Sequence, residues 1–237
     1  KTMSKNKISN VKGRMVFDSR GKPTVEAEII VNDEISGSSI APSGASTGKK
    51  EAIEKRDNKN DFLGESVNNN ILFINTIIKE NLIGLDIEDQ EGIDNKLIIL
   101  DDTANKSFLG ANTTIAVSMA VLKTAAISNK TSLWSYLNLN LEKKITLPEV
   151  QIIGGGAHAK GSIPIQDFMI IPNGAPDFYS ALEWVFKVYR KAGERLLEEK
   201  KLFGVADEGG YWPFFNNIEE VLIFLTETIK QSGFEPL

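Results

Sequence analysis

Three consecutive glycines and the only histidine of the chain, Gly154-Gly155-Gly156-Ala157-His158, stand between two short apolar runs. Ile145–Ile153 precedes them and Phe168–Pro172 follows, and both runs are too short and too sharply bounded for helices. They read as buried strands, so the glycine loop must join or top strands instead of lying in a linker. Gln166 and Asp167 sit immediately before the second run. Polar groups at strand ends suggest a site, but the same residues also suit a satisfied histidine and a turn acid.

The text before residue 140 has a different rhythm. Lys7–Phe17 and Thr24–Val31 alternate apolar and polar residues, Glu34–Ile40 adds a third strand, and Asp18-Ser19-Arg20-Gly21-Lys22-Pro23 supplies turn residues between the first two. A small antiparallel sheet is expected. Ala41–Gly48 is built from small and hydroxylated residues and reads as a mobile surface loop, followed by a short charged helix at Glu51–Arg56. Leu72, Ile74, Ile77, Ile78 and Leu82 repeat at helical spacing, as do Ile93, Leu97, Ile98 and Leu100. Ala111–Ser128, rich in alanine, suits a helix buried on most sides, and Leu133–Leu139 adds another. A three-stranded antiparallel sheet plus helices makes residues 1–140 an α+β domain.

Leu137-Asn138-Leu139-Asn140-Leu141-Glu142-Lys143-Lys144 reads as a hinge. Residues 141–237 then alternate strands with helices, at Phe178 to about Lys200 and at Ile218–Ser232, with a short apolar run at Phe203–Ala206 between them. That order is the start of an α/β, TIM-like barrel. Two or three strands cannot close eight, so the expected barrel is incomplete in this chain. Asp207-Glu208-Gly209-Gly210 follows the apolar run, which places two acids at a strand's C-terminal end or in a capped turn.

Composition removes several chemistries. Without cysteine there is no disulfide framework, thiolate nucleophile or sulfur metal site. A net charge of -5 argues against nucleic acid as the main partner. With one histidine, any divalent cation needs oxygen ligands and Mg²⁺ is the natural candidate. No apolar run of about 18 residues suggests a membrane span, and the start lacks a signal-peptide core, so a cytoplasmic protein is expected.

These stretches together, in order, resemble the enolase (phosphopyruvate hydratase) family. The resemblance rests on Asp18-Ser19-Arg20-Gly21 with Pro23-Thr24-Val25-Glu26, Pro42–Gly48, Glu51-Ala52 with Arg56-Asp57, and Asn105-Lys106-Ser107 with Leu109-Gly110-Ala111-Asn112. It continues through Gly155–Ala159, Phe168-Met169-Ile170 and Asp207–Gly210. The resemblance implies a Mg²⁺-dependent lyase that dehydrates 2-phosphoglycerate to phosphoenolpyruvate in glycolysis, a homodimer, and a small phosphorylated carboxylate as substrate. It also implies roles: Glu208 as the acid that assists hydroxide departure, Asp167 in cooperation with it, Gln166 and His158 beside the substrate, and Ser46 on a second Mg²⁺ when its loop closes.

Departures accompany the likeness. Asp167 replaces the family's glutamate, Gly154 and Ala157 replace an amide and a hydroxyl, and Lys22 replaces an asparagine. The first barrel strand is about two residues short, and Tyr211-Trp212-Pro213 brings bulk after Gly-Gly. By the resemblance, the carboxylates for the first Mg²⁺ and the lysine base would follow Leu237, so this chain alone is expected to be inactive. Two other readings remain: a paralogue acting on another phosphorylated or phosphonate carboxylate, and a noncatalytic scaffold built from a truncated enolase.

Overall fold

The computed structural model of the protein describes residues 6–44, 46–57, 60–138, 142, 144–160 and 163–237. The chain divides into two compact units, Lys1–Leu141 and Glu142–Leu237. Parts of the expected hinge, at 139–141 and 143, lie outside the described residues, as does Ala45 in the serine-rich loop.

The first unit opens with strands β1 (Ile8–Phe17), β2 (Pro23–Val31) and β3 (Ile35–Ala41) in an antiparallel sheet ordered β1-β2-β3. On β2, Val25, Ala27, Ile29 and Val31 are all buried, the period of two that a half-buried strand requires. Helices α1 (Asn68–Phe73) and α2 (Lys79–Leu82) flank a π-helical turn at Ile74–Ile78. That turn points Asn75 at the sheet edge, where Gly13 N–H donates to Oδ1 at 2.9 Å and Asn75 Nδ2 donates back to the Gly13 carbonyl at 3.0 Å. Helices α3 (Gln90–Asp101), α4 (Ala111–Ser128) and α5 (Leu133–Leu137) follow. Ala116, Val117, Ala120, Val121 and Ala125 bury α4, which packs on β2 and β3. A Cβ on Gly37 would stand 3.0 Å from the Thr124 backbone nitrogen, so helix and sheet meet as closely as a glycine permits.

The helix expected at Glu51–Arg56 is absent; residues 51–57 are irregular. Their backbone groups are satisfied at a distance instead. Ile53 N–H donates to the Asn105 carbonyl at 2.7 Å, Ile53 accepts from Ala111 N–H at 2.8 Å, and the Asn112 side chain pairs with both backbone groups of Lys55. Arg56 reaches the carbonyls of Pro23 and Glu65, and Asp57 accepts from Asn68 N–H at 2.7 Å and Asn69 N–H at 3.1 Å, capping α1. These charges are ties of a strap, not the face of a helix.

In the second unit, strands β4 (Val150–Gly154), β5 (Asp167–Ile170), β6 (Leu202–Val205) and β7 (Tyr211–Pro213) form a sheet ordered β5-β4-β7-β6. β4 pairs antiparallel with β5 and β6 antiparallel with β7, while β4 and β7 meet in parallel at Ile153 and Tyr211. Helix α6 (Phe178–Glu198) buries Ala181, Val185, Val188, Ala192 and Leu196 along one stripe, and α7 (Ile218–Gln231) buries Val221, Phe224, Leu225 and Thr228. Arg195 joins the helices by donating to the Phe224 carbonyl at 3.0 Å and Thr228 Oγ1 at 2.8 Å. This is the opening of a barrel, and the described strands do not close it.

β4 is shorter than the apolar run that announced it. Ile145 is 77% exposed and residues 144–149 form no strand. Pro148 has no N–H to give a ladder, which fits a strand beginning only at Val150. Conversely, β7 is a strand formed by aromatic residues that had read only as bulk after a turn. Among the described residues, no helix is long and apolar enough to cross a membrane.

Candidate active site

The polar residues of the second unit converge where β4, β5 and the β6–β7 turn end. Gly154 ends β4 opposite Asp167, which begins β5. Beyond that pair the two chains stay tied, because Gly155 N–H donates to the Gln166 carbonyl and Gly156 N–H to the Ile163 carbonyl, both at 2.7 Å. A Cβ on Gly155 would lie 2.1 Å from the Ile165 carbonyl oxygen. The backbones therefore approach more closely than any side chain allows, and Gly156, at φ 56°, turns the chain into a single 3₁₀ turn, Gly156–Ala159. That turn delivers His158 inward, leaving its side chain only 9% exposed.

The facing wall is the turn from Ala206 to Gly210. Ala206 N–H donates to the Gly210 carbonyl at 2.8 Å and Gly209 N–H to the Ala206 carbonyl at 2.9 Å, with Gly209 at φ 96°. The Tyr189 hydroxyl of α6 donates to the Gly209 carbonyl at 2.9 Å, and its ring stacks on Tyr211 with centroids 4.4 Å apart. Burial, then the neighbouring Tyr189, pushes the Tyr211 hydroxyl above its usual range. Its hydroxyl fills the space beside Gly193, where a Cβ would stand 2.3 Å away. An aromatic bracket thus fixes the turn that carries Glu208.

Glu208 is the hub. Its Oε1 accepts from Gln166 Nε2 at 2.9 Å and lies 3.2 Å from His158 Nε2, while its Oε2 accepts from Gln151 Nε2 at 2.9 Å. Gln151 Nε2 also donates to Asp167 Oδ1, and its Oε1 accepts from Gly210 N–H at 2.9 Å. The far side of the imidazole faces Asp207: His158 Nδ1 is buried, lies 3.6 Å from Asp207 Oδ2, and has no hydrogen-bond partner among the described residues.

The structure therefore brings His158, Gln166, Asp167 and Glu208 into one network and adds Gln151, which the sequence reading passed over. A lone amide in an otherwise apolar strand was the available signal, because a buried polar group must find partners. Ser46 belongs to the first unit, where it is exposed in the loop after β3. The base of that loop is held by the Ser43 hydroxyl, which donates to Glu54 and accepts from Arg56.

Comparison with known proteins identifies the family. The family model for the enolase N-terminal domain matches residues 8–137, and that for the enolase C-terminal TIM barrel domain matches residues 142–237. The chain belongs to the enolase family. Enolase 1 of Desulfitobacterium hafniense (strain Y51) is 45% identical over 231 residues, 97% of this chain and 53% of that protein. The chain thus spans about half the length of the curated relative it matches. The motifs this enolase-family chain keeps in its first unit are mainly structural. Asp18 accepts from Arg20 N–H at 2.8 Å and Lys22 N–H at 3.0 Å, and Arg56, Asp57 and Asn112 are the ties of the 51–57 strap. Those of the second unit, from the glycine turn to Glu208, carry the polar cluster.

Proposed function

We propose that this chain supplies the acid side of an enolase active site, in a protein that dehydrates 2-phosphoglycerate to phosphoenolpyruvate. The observation that carries this is the contact of Glu208 with His158 and Gln166, in a cluster that also holds Asp167, within a chain of the enolase family. Residues 1–140 serve as the capping domain and 141–237 open the barrel. A glycolytic, cytoplasmic homodimer follows from the same reading.

In the reaction, a proton leaves the carbon beside the carboxylate and hydroxide leaves the neighbouring carbon. Glu208 donates its proton to that hydroxide, which departs as water. His158 Nε2, 3.2 Å from Glu208 Oε1, is placed to exchange a proton with it between turnovers. Gln166 orients the same oxygen by hydrogen bonding, and Asp167, held by the same Gln151 amide as Glu208, cooperates with it. Ser46, on the loop after β3, is the residue that would close over bound substrate and reach a second Mg²⁺.

Mg²⁺, when bound, supplies positive charge to the ene-diolate. Among the described residues no three histidine, aspartate or glutamate side chains converge to hold a metal ion, and Asp167 and Glu208 are engaged by amide donors. These carboxylates do not make that site by themselves. By this reading the principal metal ligands and the base lie in the part of the family's length that this chain does not span, and the 237 residues alone do not turn over.

The test is phosphoenolpyruvate formation from 2-phosphoglycerate with Mg²⁺, followed spectrophotometrically on the full-length protein. Glu208→Gln should lower kcat by about 100-fold or more. An unchanged rate in that variant refutes the acid role, and a folded wild-type protein without turnover refutes the substrate. A related substrate, another phosphorylated or phosphonate carboxylate, is the second reading. It is favoured by Asp167, whose shorter side chain is tied to Gln151.

A further inference from the structure

Gln151 sits at the centre of the cluster, and its chemistry there is fully determined. Gly210 N–H can only donate, so the amide atom facing it must be Oε1. The orientation of the amide is thereby fixed, and Nε2 turns its two hydrogens toward Asp167 Oδ1 and Glu208 Oε2. The surroundings are shaped to the same group. A Cβ on Gly210 would lie 2.4 Å from Gln151 Oε1 and 2.8 Å from its Cδ, and one on Gly154 would lie 2.6 Å from Ala206 Cβ. Gly210 thus leaves room for the amide, while Gly154 lets the β6–β7 turn approach β4 at Ala206.

We infer that Gln151 is a positioning residue: its amide bridges the Asp167 and Glu208 carboxylates and thereby aims Glu208 Oε1 at His158. The inference rests on the reading of Glu208 as the acid. Two carboxylates brought to one place repel, and a glutamate side chain 36% exposed, as Glu208 is, has several rotamers open to it. An NH₂ group between them gives each a donor. With Oε2 held by Gln151, the other oxygen is left facing Gln166 and His158. The residue must combine a neutral donor with an acceptor on one rigid plane. Among side chains of this length only glutamine does so.

Two substitutions in the full-length protein separate this role from packing. Gln151→Glu keeps the size and the acceptor for Gly210 N–H, and so the turn, but loses the donors. Gln151→Met loses both. Gln151→Glu should lower kcat on 2-phosphoglycerate by about 10- to 100-fold, the cost of a misplaced group, with KM within about 3-fold of wild type. A positioning role shows as that loss of kcat at near-constant KM in a variant whose thermal stability matches wild type. Gln151→Met should lower kcat per folded molecule as well. A Gln151→Glu enzyme with wild-type kcat overturns the inference. If wild type does not turn over 2-phosphoglycerate, the reaction assignment fails and hydrogen exchange decides: Gln151 side-chain NH₂ protons protected from exchange with water uphold the bridge, and freely exchanging ones refute it.

Discussion

Replacing Gly155 by alanine should unfold the second unit at markedly lower temperature while leaving the first untouched. The backbone there is extended, at φ -137° and ψ -153°, which alanine adopts without penalty, so the cost is steric. The new Cβ would stand 2.1 Å from the Ile165 carbonyl oxygen and 3.0 Å from that of Ile163. Both are main-chain atoms, and relief requires the 163–166 segment to move by about 1 Å to reach ordinary contact. Overpacking of this kind costs about 1–3 kcal/mol. Movement also strains the hydrogen bonds from Gly155 and Gly156 to that segment, each worth about 1 kcal/mol. A total near 3 kcal/mol corresponds to a fall in Tm of about 12–24 °C for a unit of roughly 100 residues. Urea and thermal unfolding followed by tryptophan fluorescence report it, since Trp184 and Trp212 lie in the second unit and Trp134 in the first. Gly174→Ala is the control: its Cβ would touch only the Trp184 ring, at 3.7 Å, and stability should stay within about 0.5 kcal/mol of wild type. A Gly155→Ala protein as stable as that control would refute the close-approach argument.

Gly193→Ala should cost about 1–3 kcal/mol in the second unit, because the added methyl would meet the Tyr211 hydroxyl at 2.3 Å and push its ring off Tyr189; an unchanged melting curve would show that the ring has room to shift. In the first unit, burial alone would push the Asp101 carboxyl up, but the Thr103 hydroxyl and the N–H groups of Leu109 and Thr103 together hold it below its usual range. A group whose folded value is depressed contributes stability that is present above the unfolded value, about 3.9 for aspartate, and is lost as pH falls through the folded value. The first unit should therefore lose stability below about pH 4, and Asp101→Asn should flatten that part of the profile in thermal melts taken from pH 5 downward.

The elements legible in the sequence were those whose own side chains explain them. β2 alternates, α4 is alanine-rich and apolar on most sides, and α6 carries a stripe of buried residues, so local pattern and composition located each. The 51–57 strap was illegible for the opposite reason. Its charges suggested a helix surface, yet Arg56 and Asp57 bond to residues far along the chain, and local propensity yields to such ties. Strand β7 hid in a Tyr-Trp-Pro run because its value as a strand depends on partners in β4 and β6. In the site, His158 and the acids stood out only as polar groups at strand ends and beside glycines, which suits a turn as well as a site, and their roles came from the resemblance. Gln151 was not, since its importance lies in three contacts spread over residues 167, 208 and 210.

The pairing of the second sheet also orders the assembly of the cluster. β4 with β5, and β6 with β7, are antiparallel neighbours joined by short stretches of chain, and each can close as a local hairpin. One brings Gln151 to Asp167, the other presents Glu208. What unites them is the narrow seam at Ile153 and Tyr211, reinforced by the Gln151 and His158 contacts to Glu208 across some fifty residues of chain. Closing that loop carries the larger entropic cost. The acidic cluster therefore exists only when both antiparallel pairs and the seam between them are in place, so loosening that seam disperses the cluster before it unravels either pair.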